Sequence, residues 1–230
     1  MKNLTLLLAV CLAITLSSMA PAADGVRTKK HPDSSKWQDL FTTSLDNAIF
    51  PEGIWSFEDG VLTASKDQAI WTKRPFENCI IDIEFKTADG TNSGVIVYTS
   101  DLENWIPNSV EIQIADDHSD KIKKMPPTWR CAAIFGHLAA AKSAVKKPGQ
   151  WNRMTIACRG KKISVVLNGQ LVTEMDMDKW TSAKKNPDGS EIPPWLSTPF
   201  NKLPTKGHIG LQGKHGDKPI YFRNLKIKTL

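Results

Sequence analysis

The sequence is short of cysteine and tyrosine, has no long apolar run after its first residues, and carries no large excess of charge of one sign. Four cysteines are spread over 230 residues, and one of them, Cys11, lies in the apolar N-terminal run. The other three, Cys79, Cys131 and Cys158, cannot all pair internally, which excludes a disulfide scaffold. No Cys-x-x-Cys spacing suggests zinc. Each of the three is flanked by apolar residues and is expected to be a buried small hydrophobe. Thirty Lys and Arg oppose 24 Asp and Glu, for a net charge of +6. The lysines are scattered rather than gathered in a stripe, which argues against a nucleic-acid partner. Beyond Leu16 no stretch could span a membrane. There is no internal repeat, no convincing long amphipathic helix and no Ser-His-Asp pattern.

What is present is an ordinary globular balance, 40% hydrophobic and 8% aromatic, at a length that suits one domain with its own core. Eight tryptophans stand against two tyrosines. Tryptophan is often a core residue, but its broad flat ring also suits the C–H face of a sugar.

The N-terminus reads as an address. Lys2 precedes an almost unbroken apolar run from Leu4 to Leu16, and Ala20-Pro21-Ala22 has the small-x-small form of a cleavage site. Residues 1–22 are therefore expected to be a signal peptide, too short to span a bilayer as a helix. The mature chain would begin near Ala23 and be periplasmic or secreted, with no membrane attachment after signal removal. Residues 23–36 are polar and are expected to be a flexible lead-in. Residues 37–230 form a single domain.

That domain reads as strands. Ile54 to Phe57 and Val61 to Thr63 flank a Glu58-Asp59-Gly60 turn. Cys79 to Lys86 alternates cleanly, with Cys79, Ile81, Ile83 and Phe85 on one face. Further strands are expected at Ser93 to Thr99, Val110 to Ala115, Trp151 to Cys158, Lys162 to Leu167, Leu171 to Met175, Gly207 to Gln212 and Ile220 to Lys228. Asn168-Gly169 is a strong hairpin turn. Ala139 to Val145 is the one candidate helical turn. Lys179 to Leu203 contains Pro187, Pro193, Pro194 and Pro199 and reads as a long ordered loop. Ten or more short antiparallel strands predict an all-β sandwich or jelly roll.

The strand Val110 to Ala115 is the most informative. Val110, Ile112 and Ile114 share the core face, which leaves Glu111, Gln113 and Ala115 on the other. A carboxylate and an amide side by side can bind a polyhydroxylated ligand, although a solvated strand face has the same pattern. Two-carboxylate glycoside hydrolysis needs a second acid about 5–9.5 Å away. This strand supplies only Glu111, so Asp82 or Glu84 would have to provide the other. Asp116-Asp117-His118 is compatible with a metal and equally with a polar loop. Asn92-Ser93-Gly94 precedes another strand. Gln212-Gly213-Lys214-His215-Gly216 is a glycine-rich loop with an amide and an imidazole, outside the strand–helix context of a phosphate loop. His137 and Lys142 are further polar candidates.

Taken in order, several segments resemble one family. They are Trp55 with Asp59-Gly60-Val61-Leu62; Asn92-Ser93-Gly94-Val95; Glu111-Ile112-Gln113-Ile114; Lys147-Pro148-Gly149-Gln150-Trp151-Asn152; Leu167-Asn168-Gly169; Gly207-His208-Ile209-Gly210-Leu211-Gln212; and Phe222-Arg223-Asn224-Leu225-Lys226-Ile227. From Trp37 to Leu230 the chain resembles the 3-keto-disaccharide hydrolase domain family of exported bacterial proteins. It departs from the family at Ala139-Ala140, at Ser109-Val110 and in the spacing of Gln212 and His215.

The resemblance implies a concanavalin/laminin-G-like jelly-roll sandwich of two antiparallel sheets. It also implies cleavage of glycosides already oxidised at C3. A 3-keto group acidifies the C2 proton, so a single base can start β-elimination of the C1 substituent, and water can then add back. On this reading Glu111 is the C2 base or orients it, and His215 or His137 polarises the ketone or protonates the leaving oxygen. Asn92, Gln113, Lys142, Gln212 and Trp129 bind substrate. Trp105 and Trp129 are candidates to desolvate Glu111 and raise its pKa. No cofactor is fixed by the sequence; a divalent metal ion could stabilise the enolate. A sugar 3-oxidoreductase would have to supply the substrate. The alternatives are a non-catalytic glycan-binding module and a conventional two-carboxylate glycosidase.

Overall fold

The computed structural model describes residues 27–230, so the signal-peptide reading of residues 1–22 lies outside the described residues. Thirteen strands form the domain: β1 (Gln38–Asp39), β2 (Ala48–Ile49), β3 (Trp55–Glu58), β4 (Val61–Ala64), β5 (Ile70–Thr72), β6 (Cys79–Thr87), β7 (Asn92–Thr99), β8 (Val110–Ala115), β9 (Trp151–Arg159), β10 (Lys162–Leu167), β11 (Gln170–Asp176), β12 (His208–Leu211) and β13 (Ile220–Thr229). An eight-stranded sheet runs β11-β10-β9-β6-β13-β4-β3, with β1 also paired to β13, and a five-stranded sheet runs β2-β5-β12-β7-β8. The registered pairs are antiparallel. This is the expected two-sheet jelly roll.

Side-chain alternation builds the core between the sheets. Ile81, Ile83 and Phe85 of β6 and Met154 and Ile156 of β9 are fully buried, and they share one apolar cluster with Val95 of β7 and Val110, Ile112 and Ile114 of β8. Removing one such large side chain costs about 2–5 kcal/mol. Asp59-Gly60 and Asn168-Gly169 turn their hairpins with positive φ at both residues, as the right-handed twist of the strands requires. Cys79, Cys131 and Cys158 are free and buried, as expected.

The structure departs from the sequence reading in three places. First, residues 27–36 are not a loose lead-in. His31 meets Thr155 through Nδ1 at 2.8 Å and accepts from the Gly169 N–H at 2.9 Å. Ser34 donates to Asp82 at 2.5 Å, and Arg153 donates to the Pro32 carbonyl at 2.6 Å. The segment's polar groups are satisfied on the outer face of the large sheet rather than in water. Second, Ala139 to Val145 is not helical. Ala140 and Ala144 pack against the core, and the Ala141 N–H bonds the Val172 carbonyl at 2.8 Å. Among the described residues the single α-helical turn is α1 (Asp120–Lys123), where the Ser119 hydroxyl accepts from the Ile122 N–H. Third, β1, β2 and β5 are too short to show an alternation. The long loop after β11 is ordered as expected, tied down where Trp180 Nε1 donates to Asn186 at 2.9 Å and Asn186 to the Gly136 carbonyl at 3.2 Å.

Candidate active site

β8 divides its residues as the alternation predicts. Val110, Ile112 and Ile114 enter the core, and Glu111 and Gln113 face away from it. That second face is not a solvated sheet surface. Three crossings roof it: the β4–β5 loop, the β7–β8 loop, and the chain from Trp129 to Phe135 together with Trp195. Beneath them lies a cavity of about 500 Å³, within the range of small-molecule sites. Glu111, Gln113 and Asn92 line its floor, Asp67, Trp105 and Ile106 one side, Trp129, Phe135 and Trp195 another, and Gln212 and His215 also reach it.

The sheet is shaped to let large side chains lie across it. Gly94 of β7 is the register partner of Gln113, one step along from Glu111. A Cβ at Gly94 would lie 2.7 Å from Glu111 Cγ and 2.9 Å from Cδ, so the missing side chain is the space the carboxylate occupies. Gly210 does the same for Trp71, whose ring covers the position a Cβ would take. Trp71 then supports Trp105 edge-on, with ring centroids 5.9 Å apart. On the opposite wall Trp129 packs on Phe135 at 4.9 Å and meets Trp195 edge-on at 6.2 Å. The roof is held by β8 itself: the Phe135 N–H bonds the Glu111 carbonyl at 3.0 Å, and Gln113 exchanges backbone bonds with Ala132 and Ala133.

The polar groups form a short chain with one break. Gln113 is 2% exposed and donates through Nε2 to Asn92 Oδ1 at 2.7 Å, which fixes the Asn92 amide. Asn92 is bridged through its backbone to His215. His215 Nδ1 lies 2.6 Å from Asp67 Oδ2. Ser93 donates to the Gln212 carbonyl at 2.8 Å and anchors that end. Glu111 stands apart: no hydrogen bond or ion pair reaches its carboxylate among the described residues. Burial, and secondarily the negative charge of Asp67, push its pKa from 4.5 up to about 8. Glu111 therefore holds its proton at neutral pH and ionises only above it.

The structure thus brings together Glu111, Gln113, Asn92, Gln212, His215 and Trp129 from the sequence-derived candidates, and Trp105 joins them as expected. It does not bring His137 there. His137 is 4% exposed, its Nδ1 bonds the Phe135 carbonyl at 2.8 Å, and its ring stacks on Phe200 at 3.7 Å. Burial lowers its pKa to about 4, so it is a neutral core residue. Lys142 is not in the cavity either, because its neighbours Ala141 and Ser143 are tied to Val172 and Asp117. Asp82 and Glu84 lie on the other sheet, bound to Arg153 and Arg223 at 2.6 Å each, and cannot serve as a second acid beside Glu111.

Asp116, Asp117 and His118 are used to hold loops. They accept from Gly90, from Cys131 and Ser143, and reach the Val145 carbonyl, respectively. No group of three or more His, Cys, Asp or Glu side chains at metal-binding spacing occurs among the described residues.

Asp67 and Trp195 escaped the sequence reading. Trp195 had a signal: a tryptophan after Pro193-Pro194 in a polar loop, 50% exposed in the structure. Asp67 had none, since its partner is 148 residues away in the chain.

Comparison with known proteins agrees with this fold. The fold closely matches the crystal structure of a candidate glycosyl hydrolase from Parabacteroides distasonis, with a TM-score of 0.83, 60% identity, and coverage of 85% of this chain and 100% of that one. A second candidate glycosyl hydrolase from the same organism is 20% identical over 81% of this chain and 89% of its own, with a TM-score of 0.64. The carbohydrate-binding module CBM66 from Bacillus subtilis shares the fold at 11% identity and a TM-score of 0.52, over 82% of this chain and 99% of its own. No curated protein matches the sequence. The family model described as the 3-keto-alpha-glucoside-1,2-lyase-like domain matches residues 27–228, which takes in the docked N-terminal segment, both sheets and every cavity-lining residue, and the chain belongs to that family.

Proposed function

We propose that this protein cleaves the glycosidic C–O bond of glycosides carrying a ketone at C3, with Glu111 as the base. The observation that carries the reading is the carboxylate on the cavity floor with no cation or donor beside it and a pKa of about 8. An ordinary carboxylate is a poor match for a C–H proton. One raised toward neutrality is better matched, and the C2 proton next to a ketone is acidic enough to be its substrate.

The steps balance without a second carboxylate nucleophile. Glu111 takes the C2 proton, and the C2–H electron pair becomes the enolate C2=C3 bond. The enolate collapses back to the ketone, forms the C1=C2 bond and expels the C1 oxygen. His215, oriented by Asp67, gives a proton to that oxygen. Water then adds at C1 and gives its proton to His215, C2 regains a proton from Glu111, and a free 3-keto sugar leaves. Gln113 sets the Asn92 amide to hold a hydroxyl or the ketone, where a fixed dipole stabilises developing negative charge. Trp105, Trp129 and Trp195 supply flat faces for the sugar and keep water from the base. The ketone must be made by an oxidoreductase acting at C3. Reading residues 1–22 as a cleaved signal places the reaction outside the cytoplasm.

The test is a paired assay of the purified protein on methyl 3-keto-glucoside and on its unoxidised parent, with Glu111→Gln alongside. The expected result is turnover of the keto substrate alone, lost in the variant. Cleavage of the parent would overturn the elimination chemistry. Saturable glycan binding with no turnover of either substrate would make the cavity a binding site.

A further inference from the structure

Cys79 and Cys158 lie directly opposite one another, as register partners at the last step of the antiparallel β6–β9 ladder. Alternation puts both on the core face, Cys79 with Ile81 and Ile83 on β6, and Cys158 with Met154 and Ile156 on β9. Each is 1% exposed or less. Opposed residues of an antiparallel pair have Cα atoms about 4.5–5.5 Å apart, inside the span of about 4.4–6.8 Å that a disulfide bridges. The two thiols meet: the hydrogen bond between them lowers the pKa of Cys79 and raises that of Cys158.

This end of the ladder is held from three directions. The Gly160 N–H donates to Asn78 Oδ1 at 2.8 Å, and the Leu230 N–H to the Asn78 carbonyl at 2.9 Å. From the small sheet Tyr98 crosses the core and donates to the Gly160 carbonyl at 2.7 Å. These bonds keep the two strand ends side by side whether or not the sulfurs are joined. Cys131 lies at the far end of the sandwich. Its N–H bonds Asp117, just past Ala115 of β8. Ala115 pairs with Asn92, which starts β7 a short turn after β6 has ended at Thr87. The nine residues of β6, at about 3.3 Å each, separate that end from Cys79.

We propose that Cys79 and Cys158 are a disulfide-forming site, a covalent staple between β6 and β9, and that Cys131 stays a thiol. An odd number of cysteines excludes a disulfide scaffold but leaves room for one bond, and the β6–β9 register picks the pair. The bond is independent of the Glu111 chemistry. The oxidant is a disulfide donor of the class that acts on exported chains, and the reading of residues 1–22 as a cleaved signal would bring the chain to it. The Cys79 thiolate attacks one sulfur of the donor and expels the other as a thiolate. The Cys158 thiolate then attacks the Cys79 sulfur of the mixed disulfide and expels the remaining half of the donor. Two thiols have lost two protons and two electrons, and the donor has become two thiols. Cys79 attacks first because its thiol is the more readily ionised of the two. In the folded chain both sulfurs are out of reach of solvent, so exchange precedes the closing of Tyr98 over the ladder end. The same cover then shields the bond from reductants.

The experiment refolds the purified mature chain, from Ala23, out of urea with oxidised glutathione or with a reductant. Free thiols are then alkylated, and the peptides are mapped by mass spectrometry without reduction. The expected result is alkylation of Cys131 alone and a Cys79–Cys158 cross-linked peptide that reduction splits. The oxidised chain should also melt about 5 °C or more above the reduced one, because the bond closes a loop of about 80 residues in the unfolded chain. Cys131→Ser should keep the cross-link and the shift, and Cys158→Ala should lose both. The mapping itself uses the wild-type chain and so does not depend on whether a variant folds. Alkylation of all three cysteines after refolding with the donor, a cross-link that includes Cys131, or an oxidised chain that melts below the reduced one would overturn the proposal.

Discussion

Replacing Glu111 with Gln should abolish turnover and make the protein more stable, by an amount that depends on pH. In the folded state the Glu111 pKa is about 8, against an ordinary value of 4.5. Between those values the native state holds a proton that the unfolded chain has released, so stability falls as pH rises through the window. Below pH 4.5 the effect is absent. Above pH 8 it is complete, with a ceiling of about 5 kcal/mol at about 1.4 kcal/mol per pH unit. Solvent reaches the cavity and reorganises around the ionised group, so a realistic gain is about 1–3 kcal/mol. Glutamine is nearly isosteric and cannot ionise, so the variant escapes this cost. Urea unfolding of both proteins at pH 5, 7 and 8.5 reads it directly, as a midpoint difference at constant slope. The variant's advantage should be small at pH 5 and widen toward pH 8.5. A difference that does not change with pH would refute the claim that Glu111 is a desolvated, unpaired carboxylate, whatever the variant did to activity.

Four other outcomes are expected. Gly94→Ala places a methyl group where Glu111 lies; it should lower kcat by about tenfold or more with little change in KM, as a displaced base would. The kcat/KM of the wild type should climb with pH toward about 8, the value for the free base, and a flat profile from pH 6 to 8 would remove Glu111 from that role. Asp82→Asn removes the charge of a buried carboxylate paired with the partly exposed Arg153 on the opposite sheet; denaturation should show a loss of about 1–3 kcal/mol, with kcat/KM unaltered in folded protein. His137→Phe keeps a ring against Phe200 and removes both nitrogens; activity should survive within about twofold, at a stability cost of about 1–3 kcal/mol for the unpaired Phe135 carbonyl.

The legible parts of this protein are those written in local periodicity. The alternation of β6 and β8 fixes which side chains enter the core, and on β8 it isolates Glu111 and Gln113 on one face. Asp59-Gly60 and Asn168-Gly169 encode their own turns. What covers the Glu111 face is not local. Asp67 and His215 are distant in sequence, and only the pairing of β12 with both β5 and β7 brings their loops together. Polarity misled at the N-terminus, where His31 and Ser34 resemble solvated residues but bond to Thr155 and Asp82. Imidazole chemistry misled at His137. Its neighbours Phe135 and Leu138 pack on the core, and a histidine between them follows them inward.

The placement of charge across the two sheets bears on why one carboxylate can be left without a partner. On the large sheet acids are answered by bases: Asp82 by Arg153, Glu84 by Arg223, Asp39 by Lys226. Asp82 also accepts from Ser34 and Thr155, so its ionised form is well solvated by protein. Glu111 has none of this, and the charge of Asp67 works in the opposite direction. A cation beside Glu111 would stabilise the fold and draw the carboxylate back toward its ordinary range, where it would be too weak a base to take a proton from carbon. On the proposed mechanism the reactivity and the instability are therefore the same quantity, set by burial under the aromatic roof, and stabilising this residue electrostatically would disarm it.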